Sequence, residues 1–387
     1  MASSSIPSLT TLAFGDTYRG KRVLMTGHTG FKDSWLCERL LTLGAEVSGI
    51  TLEPPTSPAL FNQLQLSNRL QHNLIDIRDE ERVADAIRKF QPQFLFHLAA
   101  QPLVRLSYEK AVENYEINVM GTIHVLEALR RQSSQPCAAV FITTDKCYEN
   151  REWIYAYREV DLLGGHDPYS SSKAAAEIAI SAYRRSFFPP DHHAIKVASA
   201  RAGNVIGGGD WALDRIVPDS MRALSRGESI PVRNKTSTRP WQHVLEPLSG
   251  YLWLGAVLQA PLLVERSSAT EFCAAFNFGP SLSSNRTVRD LVEEILKNRS
   301  GNWVDRSNPD AVHEASLLNL STDKAHHLLR WQPVWSFKET VAHTVQWYDA
   351  VEKDSATIGD LTYNQINSYT RDANRQGIAW AGPARLP

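Results

Sequence analysis

The chain has 387 residues, 43% of them hydrophobic and 21% charged, with 41 Lys and Arg set against 42 Asp and Glu. That length calls for one large α/β domain or two closely packed ones, and the composition is ordinary for a soluble globular protein. A formal net charge of −1 excludes the basic surface that nucleic acid or an anionic membrane would select.

Residues 1–18 are rich in Ser and Thr and lack a basic start followed by an apolar run, so they are expected to form a flexible tail rather than a secretory signal. The first strand-like run is RVLMT (22–26), followed by GHTGFKDSW and the helical pattern LCERLLTLG. Strand, glycine loop and helix in that order suit a phosphate cradle, because backbone N–H groups at a helix start face an anion. Gly27 permits the tight turn, and Gly30 lets the backbone approach a pyrophosphate. Asp33 stands where a third glycine would normally serve packing. Its carboxylate complements the helix dipole, yet would repel a pyrophosphate if turned inward.

A second strand-like run, EVSGITL (46–52), ends beside Glu53. An acid there binds a ribose diol and favours NAD over NADP, or is an ordinary loop carboxylate. Helical EERVADAIRKFQ, strand-like QFLFHLAA (93–100), helical NVMGTIHVLEALRRQ and strand-like AAVFITT (138–144) follow in alternation. Such repeats imply a doubly wound parallel sheet, a Rossmann fold, over residues 19–207.

TTDKCYENREW (143–153) begins at the carboxyl end of AAVFITT, where open α/β sheets hold their ligands. Thr144, Asp145 and Lys146 are therefore expected to face the crevice, although adjacent acid and amine side chains also occur as plain surface pairs. Tyr169 and Lys173 in YSSSK are four apart, on one face of a helix. A neighbouring ammonium and a bound nicotinamide cation stabilise a phenolate whose ordinary pKa, near 10, is too high for a base at neutral pH. The next strand-like segment is KVASARAGNVIG (196–207).

Beyond Gly207, Pro, Trp and Arg become frequent and periodicity weakens. Residues 208–350 are read as a smaller mixed α/β substrate-binding lobe with returns to the sheet, including helices over 288–298 and 337–351. Residues 351–387 are read as a surface extension. YLWLGAVLQAPLLV (251–264) is too short for a bilayer and reads as a buried helix. Cys37, Cys137, Cys147 and Cys273 form no CxxC pair, which points to free thiols in a reducing compartment, the cytoplasm. His192–His193 and His326–His327 lack complementary ligand spacing, so no metal site is expected.

GHTGFK, HLAAQPLVRLSY, TTDKCYENREW, DPYSSSK, RAGNVIGGGDW and RPWQHVLEPLSGY together resemble the CDP-glucose 4,6-dehydratase branch of the extended short-chain dehydrogenase/reductase superfamily. The likeness runs from about residue 20 to about residue 350. Lys146 stands where dTDP-glucose dehydratases carry glutamate, and Asp33 departs from the expected GHTGFKG. The resemblance implies NAD as cofactor and CDP-glucose as substrate in deoxysugar formation, of the kind that serves lipopolysaccharide O-antigen. It implies that Tyr169 takes the C4 hydroxyl proton while Thr144 bonds that oxygen, that Lys146 acts as base at C5, and that Asp145 protonates the departing C6 hydroxyl. Lysine as a base needs its pKa lowered, which burial beside Lys173 and the nicotinamide would achieve.

By the same resemblance Thr29, Phe31, Asp76, Ile77, Ala99, Ala100 and Gln101 join Gly27, Gly30, Glu53, Tyr169 and Lys173 around the cofactor. Asn204, Arg239 and His243 hold the sugar nucleotide, with His243 packed or substrate-lining rather than catalytic. A homodimer or homotetramer is implied as well. A 4-epimerase or a dehydratase for another nucleotide sugar, and an inactive sugar-nucleotide-binding homologue, are the competing readings. The paired Asp145 and Lys146 favour dehydration, since epimerisation needs no acid and base at C6 and C5.

Overall fold

The computed structural model describes residues 9–132, 135–191, 193–266, 268–307 and 317–382. Seven strands build its main sheet: β1 Arg22–Thr26, β2 Glu46–Thr51, β3 Gln71–Leu74, β4 Phe94–His97, β5 Cys137–Thr144, β6 Ile195–Ala202 and β7 Ala275–Phe278. Their order is β7-β6-β5-β4-β1-β2-β3, and every pairing is parallel. The order reverses between β1 and β4, which opens the crevice where doubly wound sheets take their ligands.

Side-chain alternation along the strands explains the two-sided sheet. Val23 and Met25 of β1, with Phe94 and Phe96 of β4, face one core, while Leu24 and Leu95 face the other. On the second face lie α2 (Glu80–Phe90), α3 (Gly121–Arg130) and α4 (Pro168–Ser186), through Val83, Ile87, Val125, Leu129 and Ile180. On the first lie α1 (Phe31–Thr42) and α5 (Leu245–Gln259), joined by α7 (Phe337–Lys353) and α8 (Ile358–Arg375); α6 (Val288–Asn298) belongs to the lobe. Local signals set several helix starts. Asp167 caps α4 by accepting from the Ser170 N–H, with Pro168 in the first turn, and Ser336 with Glu339 forms a capping box on α7.

The lobe consists of short ribbons and helices. Ile230–Val232 pairs with Trp303–Asp305, Thr238–Pro240 with Asn285–Thr287, and Gln242–His243 with Val205–Ile206. Trp35 of α1 donates its indole N–H to the Gly208 carbonyl at 2.9 Å. A Cβ on Gly208 would meet the Trp347 ring at 2.0 Å, so only glycine lets the GGGDW segment pass beneath α7.

Four sequence expectations change. From Leu9 the amino-terminal segment is helical and packed rather than loose: Ala13, Phe14 and Tyr18 are buried, and Phe14 stacks on Trp380 with centroids 5.0 Å apart. The carboxyl-terminal segment is not a surface extension, because α8 buries Ile366, Tyr369 and Ala373 and the following turn buries Trp380. The run 196–207 splits at Gly203 into β6 and a separate bridge at Val205–Ile206. The apolar stretch at 251–264 belongs to a buried helix that begins earlier, at Leu245, and ends at Gln259. Among the described residues no helix is long and apolar enough to cross a membrane.

Candidate active site

The glycine loop leaves β1 and enters α1. Gly27 has φ +82°, and a Cβ there would stand 2.8 Å from the Ala99 Cα, so the turn closes against the segment after β4 only without a side chain. The Gly30 N–H donates to the Gly27 carbonyl at 3.0 Å. Gly30 precedes α1 in extended conformation, with φ −69° and ψ 166°, and leaves the first N–H groups of that helix open to an anion. Close approach at Gly27, an open helix start and a crevice at the sheet's switch point fit a dinucleotide.

The expected cofactor residues occupy both sides of this crevice in different ways. Thr29 Oγ1 bonds Thr51 Oγ1 at 2.8 Å and donates to the Leu52 carbonyl, tying the loop to the end of β2. Phe31 is half-buried, and Glu53 is exposed two residues beyond β2. Asp76 pairs with Arg78 at 2.6 Å, and the arginine holds its carboxyl below the usual range against the opposing effect of burial. Ile77 is buried against Gly121. Ala99 donates its N–H to Thr26 Oγ1 at 3.0 Å, Ala100 is half-buried, and Gln101 is held by Asn118 and Asn114.

The residues expected to be catalytic meet at the carboxyl end of β5. Thr144 ends that strand, and its hydroxyl reaches Asp145 Oδ1 at 2.9 Å and accepts from the Lys146 N–H at 3.3 Å. The same hydroxyl stands close enough to the Tyr169 phenol to lower its pKa. Asp145 is buried, and that burial raises its carboxyl above the ordinary value although Lys146, Thr144 and Arg239 act against it. Burial raises the Tyr169 phenol strongly, with Thr144 holding it back.

Lys173 follows Tyr169 by one turn of α4 and is 6% exposed. Burial and the nearby Lys32 lower its ammonium to about 8, against the attraction of Glu177. Lys146 is half-buried beside Asp145. Arg239, on the ribbon Thr238–Pro240, donates to the Thr238 carbonyl and acts on Asp145 across the crevice. Asn204 is exposed after β6. A recess lined by Gly203, Pro240, Gly279, Pro280 and Leu320 opens next to Asp145, whose carboxylate abuts Gly203.

His243 takes the packed position. It is 0% exposed and lies edge-on to Trp35 and Trp335, at 5.8 and 4.8 Å between centroids. A ring enclosed in this way packs the lobe, the first of the two roles expected for it, and burial holds its pKa far below the ordinary value. His193 accepts from the Ile195 N–H, His326 lies edge-on to His327, and His192 falls outside the described residues. Among the described residues no group of three or more His, Cys, Asp or Glu side chains could hold a metal, and the four cysteines are free and buried.

Sequence reading missed the polar scaffold behind these groups. Asn118, in a π-helical turn before α3, accepts from the Gln101 N–H and donates to the Gln101 carbonyl, Asn114 and Ser172. Asn114 donates to the Pro168 carbonyl at the start of α4, and Ser107 Oγ accepts from the Tyr169 N–H. The signal was two asparagines four apart in a helix, where that residue type is disfavoured unless it has partners. Lys32 was missed as well. It lies over the Tyr251 ring at 5.7 Å and within the fields of Asp33, Arg215 and Asp145.

Comparison with known proteins adds ancestry. Residues 24–344 match the family described as GDP-mannose 4,6 dehydratase. A CDP-glucose 4,6-dehydratase of Salmonella typhimurium is 46% identical over 338 residues, covering 86% of this chain and 92% of its own. The dTDP-D-glucose 4,6-dehydratase of Homo sapiens is 25% identical over 338 residues, covering 85% of this chain and 90% of its own. Among solved structures, a dTDP-glucose 4,6-dehydratase of Streptomyces venezuelae with NAD and TYD bound superposes with a TM-score of 0.72 at 23% identity, covering 88% of this chain and 99% of its own. A Thermotoga maritima UDP-glucose 4-epimerase with UDP-glucose gives 0.72 at 21%, over 86% and 99%. At such identities these two structures testify to the fold alone.

Proposed function

Since the chain belongs to the GDP-mannose 4,6 dehydratase family, we propose that it is an NAD-dependent hydro-lyase that converts CDP-glucose to CDP-4-keto-6-deoxyglucose and water. One observation carries the reading: Thr144 and Asp145 are hydrogen-bonded at the mouth of β5, with Tyr169 close enough to feel both and with Lys146 and Lys173 beside them. The 46% identity to a CDP-glucose 4,6-dehydratase supports both the reaction and the base.

The dinucleotide would rest its diphosphate at the start of α1 between Gly27 and Gly30, with Thr29, Phe31, Glu53, Asp76, Ile77, Ala99, Ala100 and Gln101 around it. Bound NAD supplies the hydride acceptor for C4 and the donor to C6, so it is regenerated in each turnover. Tyr169 takes the C4 hydroxyl proton while Thr144 bonds that oxygen. Lys173 stabilises the phenolate from one helical turn away. The C4 ketone acidifies the C5 hydrogen, which Lys146 removes; Asp145, whose pKa burial raises, protonates the C6 hydroxyl as it departs as water. Asn204 and Arg239 bind the diphosphate of the sugar nucleotide, where a guanidinium's bidentate fork suits an anion.

A homodimer or homotetramer in the cytoplasm completes the proposal. Val112, Met120 and Ile178, which are 74%, 44% and 59% exposed around the start of α3 and on α4, offer an apolar face for a second copy.

The test is incubation of the protein and NAD with CDP-, dTDP-, UDP- and GDP-glucose, with products weighed by mass spectrometry. CDP-glucose is expected to lose one water. A product of unchanged mass but altered stereochemistry at C4 would establish an epimerase instead, and no product from any of the four would establish an inactive homologue.

A further inference from the structure

Asp33 occupies the place in the glycine loop that sets this chain apart. It sits in the first turn of α1, and its Oδ2 lies 2.5 Å from where a Cβ on Gly30 would stand. The carboxylate therefore folds back over the loop. Its Oδ1 is buried with no hydrogen-bond partner. A carboxylate at a helix start, resting on the glycine that should face a diphosphate, is an internal competitor for that anion's place.

The groups facing it come from three helices. Lys32 and Cys37 belong to α1, Lys173 to α4 and Tyr251 to α5. Lys32 in turn feels Arg215 and Asp145. Two cations thus stand near Asp33, but neither forms a hydrogen bond to Oδ1. Two negative charges on one helix start, one of them on a desolvated carboxylate, repel more strongly than they would in solvent.

We propose that Asp33 makes dinucleotide binding proton-linked: the diphosphate seats on the cradle when the Asp33 carboxyl is protonated and is repelled when it is ionised. This rests on the dinucleotide reading of the loop. Burial, opposed by Lys32, raises the Asp33 pKa to about 7, so the transition falls near neutrality. Below it the neutral acid donates a hydrogen bond. Above it affinity falls about tenfold per pH unit, the slope of a single proton taken up on binding.

The experiment is calorimetric titration of the nucleotide-stripped protein with NAD from about pH 6 to about pH 9, spanning the transition. Wild type, Asp33→Asn and Asp33→Gly are compared, with folding checked by circular dichroism, and each titration is repeated in buffers of different ionisation heat. Wild type is expected to weaken with rising pH and to take up one proton on the alkaline side. Asp33→Asn and Asp33→Gly should bind at least tenfold more tightly than wild type at the alkaline end and take up none there. ADP-ribose, which carries the diphosphate without a titrating phosphate, should repeat the wild-type profile, whereas adenosine should not. Superimposable profiles for wild type and Asp33→Asn overturn the proposal and leave the cofactor reading intact, as does weaker binding by both variants. Absence of NAD binding in all three proteins at every pH overturns both.

Discussion

The Thr144 hydroxyl donates to the Asp145 carboxylate at 2.9 Å and stands beside the Tyr169 phenol, whose pKa it lowers against the larger effect of burial. A hydroxyl has one hydrogen and cannot donate to both. That hydrogen points to Asp145 in the free protein, so bonding the substrate's C4 oxygen, as proposed, turns the hydroxyl away from the carboxylate. Thr144→Val should therefore lower kcat about tenfold to a hundredfold, or ~1.4–2.7 kcal/mol, with KM little changed, and Thr144→Ser should restore most of it. Initial rates of water loss from CDP-glucose would show this; a Val variant as fast as wild type would remove Thr144 from the chemistry.

Asp145 and Lys146 are adjacent in sequence, and the proposed mechanism sets them on different atoms. Asp145→Asn should reduce water loss about 10²–10⁴-fold while exchange of the C5 hydrogen with solvent continues. Lys146→Met should abolish that exchange as well. Mass spectrometry of substrate recovered from deuterated water separates the two, and exchange surviving in Lys146→Met would move the C5 base elsewhere.

Lys173 illustrates a conflict between stability and function. Its ammonium, lowered to about 8 by burial and Lys32, compares with about 10.4 in an unfolded chain, so keeping it charged costs the fold about 3 kcal/mol at neutral pH. Between those two values the unfolded chain binds more protons, and stability rises with pH. Lys173→Met should flatten that rise, stabilise the nucleotide-free protein at neutral pH and lower turnover about 10²–10⁴-fold. Urea unfolding at several pH values, set beside activity, tests both halves.

Beneath the catalytic turn, Arg201 and Glu177 pair at 2.8 Å, 4% and 2% exposed. Burial alone would raise the Glu177 carboxyl, but Arg201, Thr143 and Ser199 together hold it below its ordinary value. Arg201 also donates to Tyr148, which follows the Asp145–Lys146 turn. Removing the guanidinium leaves a buried charge, so Arg201→Met should cost about 3–5 kcal/mol. The wild-type contribution is present above the unfolded glutamate pKa of about 4.3 and is lost as pH falls through the lower folded value. Denaturant midpoints against pH would reveal it, and an unchanged midpoint in Arg201→Met would show the pair to be neutral.

Much of this protein was written locally. Strands β1, β4 and β5 follow from compact apolar runs, α4 from Asp167 and Pro168 at its start, and the positions of Thr144 and Tyr169 from a strand end and a helix start. Strand β3, QHNL, has no apolar run, because it lies at the sheet edge and its side chains remain largely outside the core. The packed termini were equally hidden. The Glu246 carboxylate accepts from the Val334 and Trp335 N–H groups and from the Tyr369 hydroxyl, joining α5 to α8 across 123 residues.

The sequence by itself determined the βα alternation, the glycine loop and the Tyr169–Lys173 spacing, because each depends on neighbours within a turn or a strand and on their periodicity. Tertiary structure alone decided that His243 is a packed ring between two tryptophans, that Asn118 braces the crevice, and that Asp33 turns inward to sit on Gly30. Those outcomes depend on burial and on partners brought from distant parts of the chain, and neither quantity exists until the sheet has closed and the helices have settled upon it.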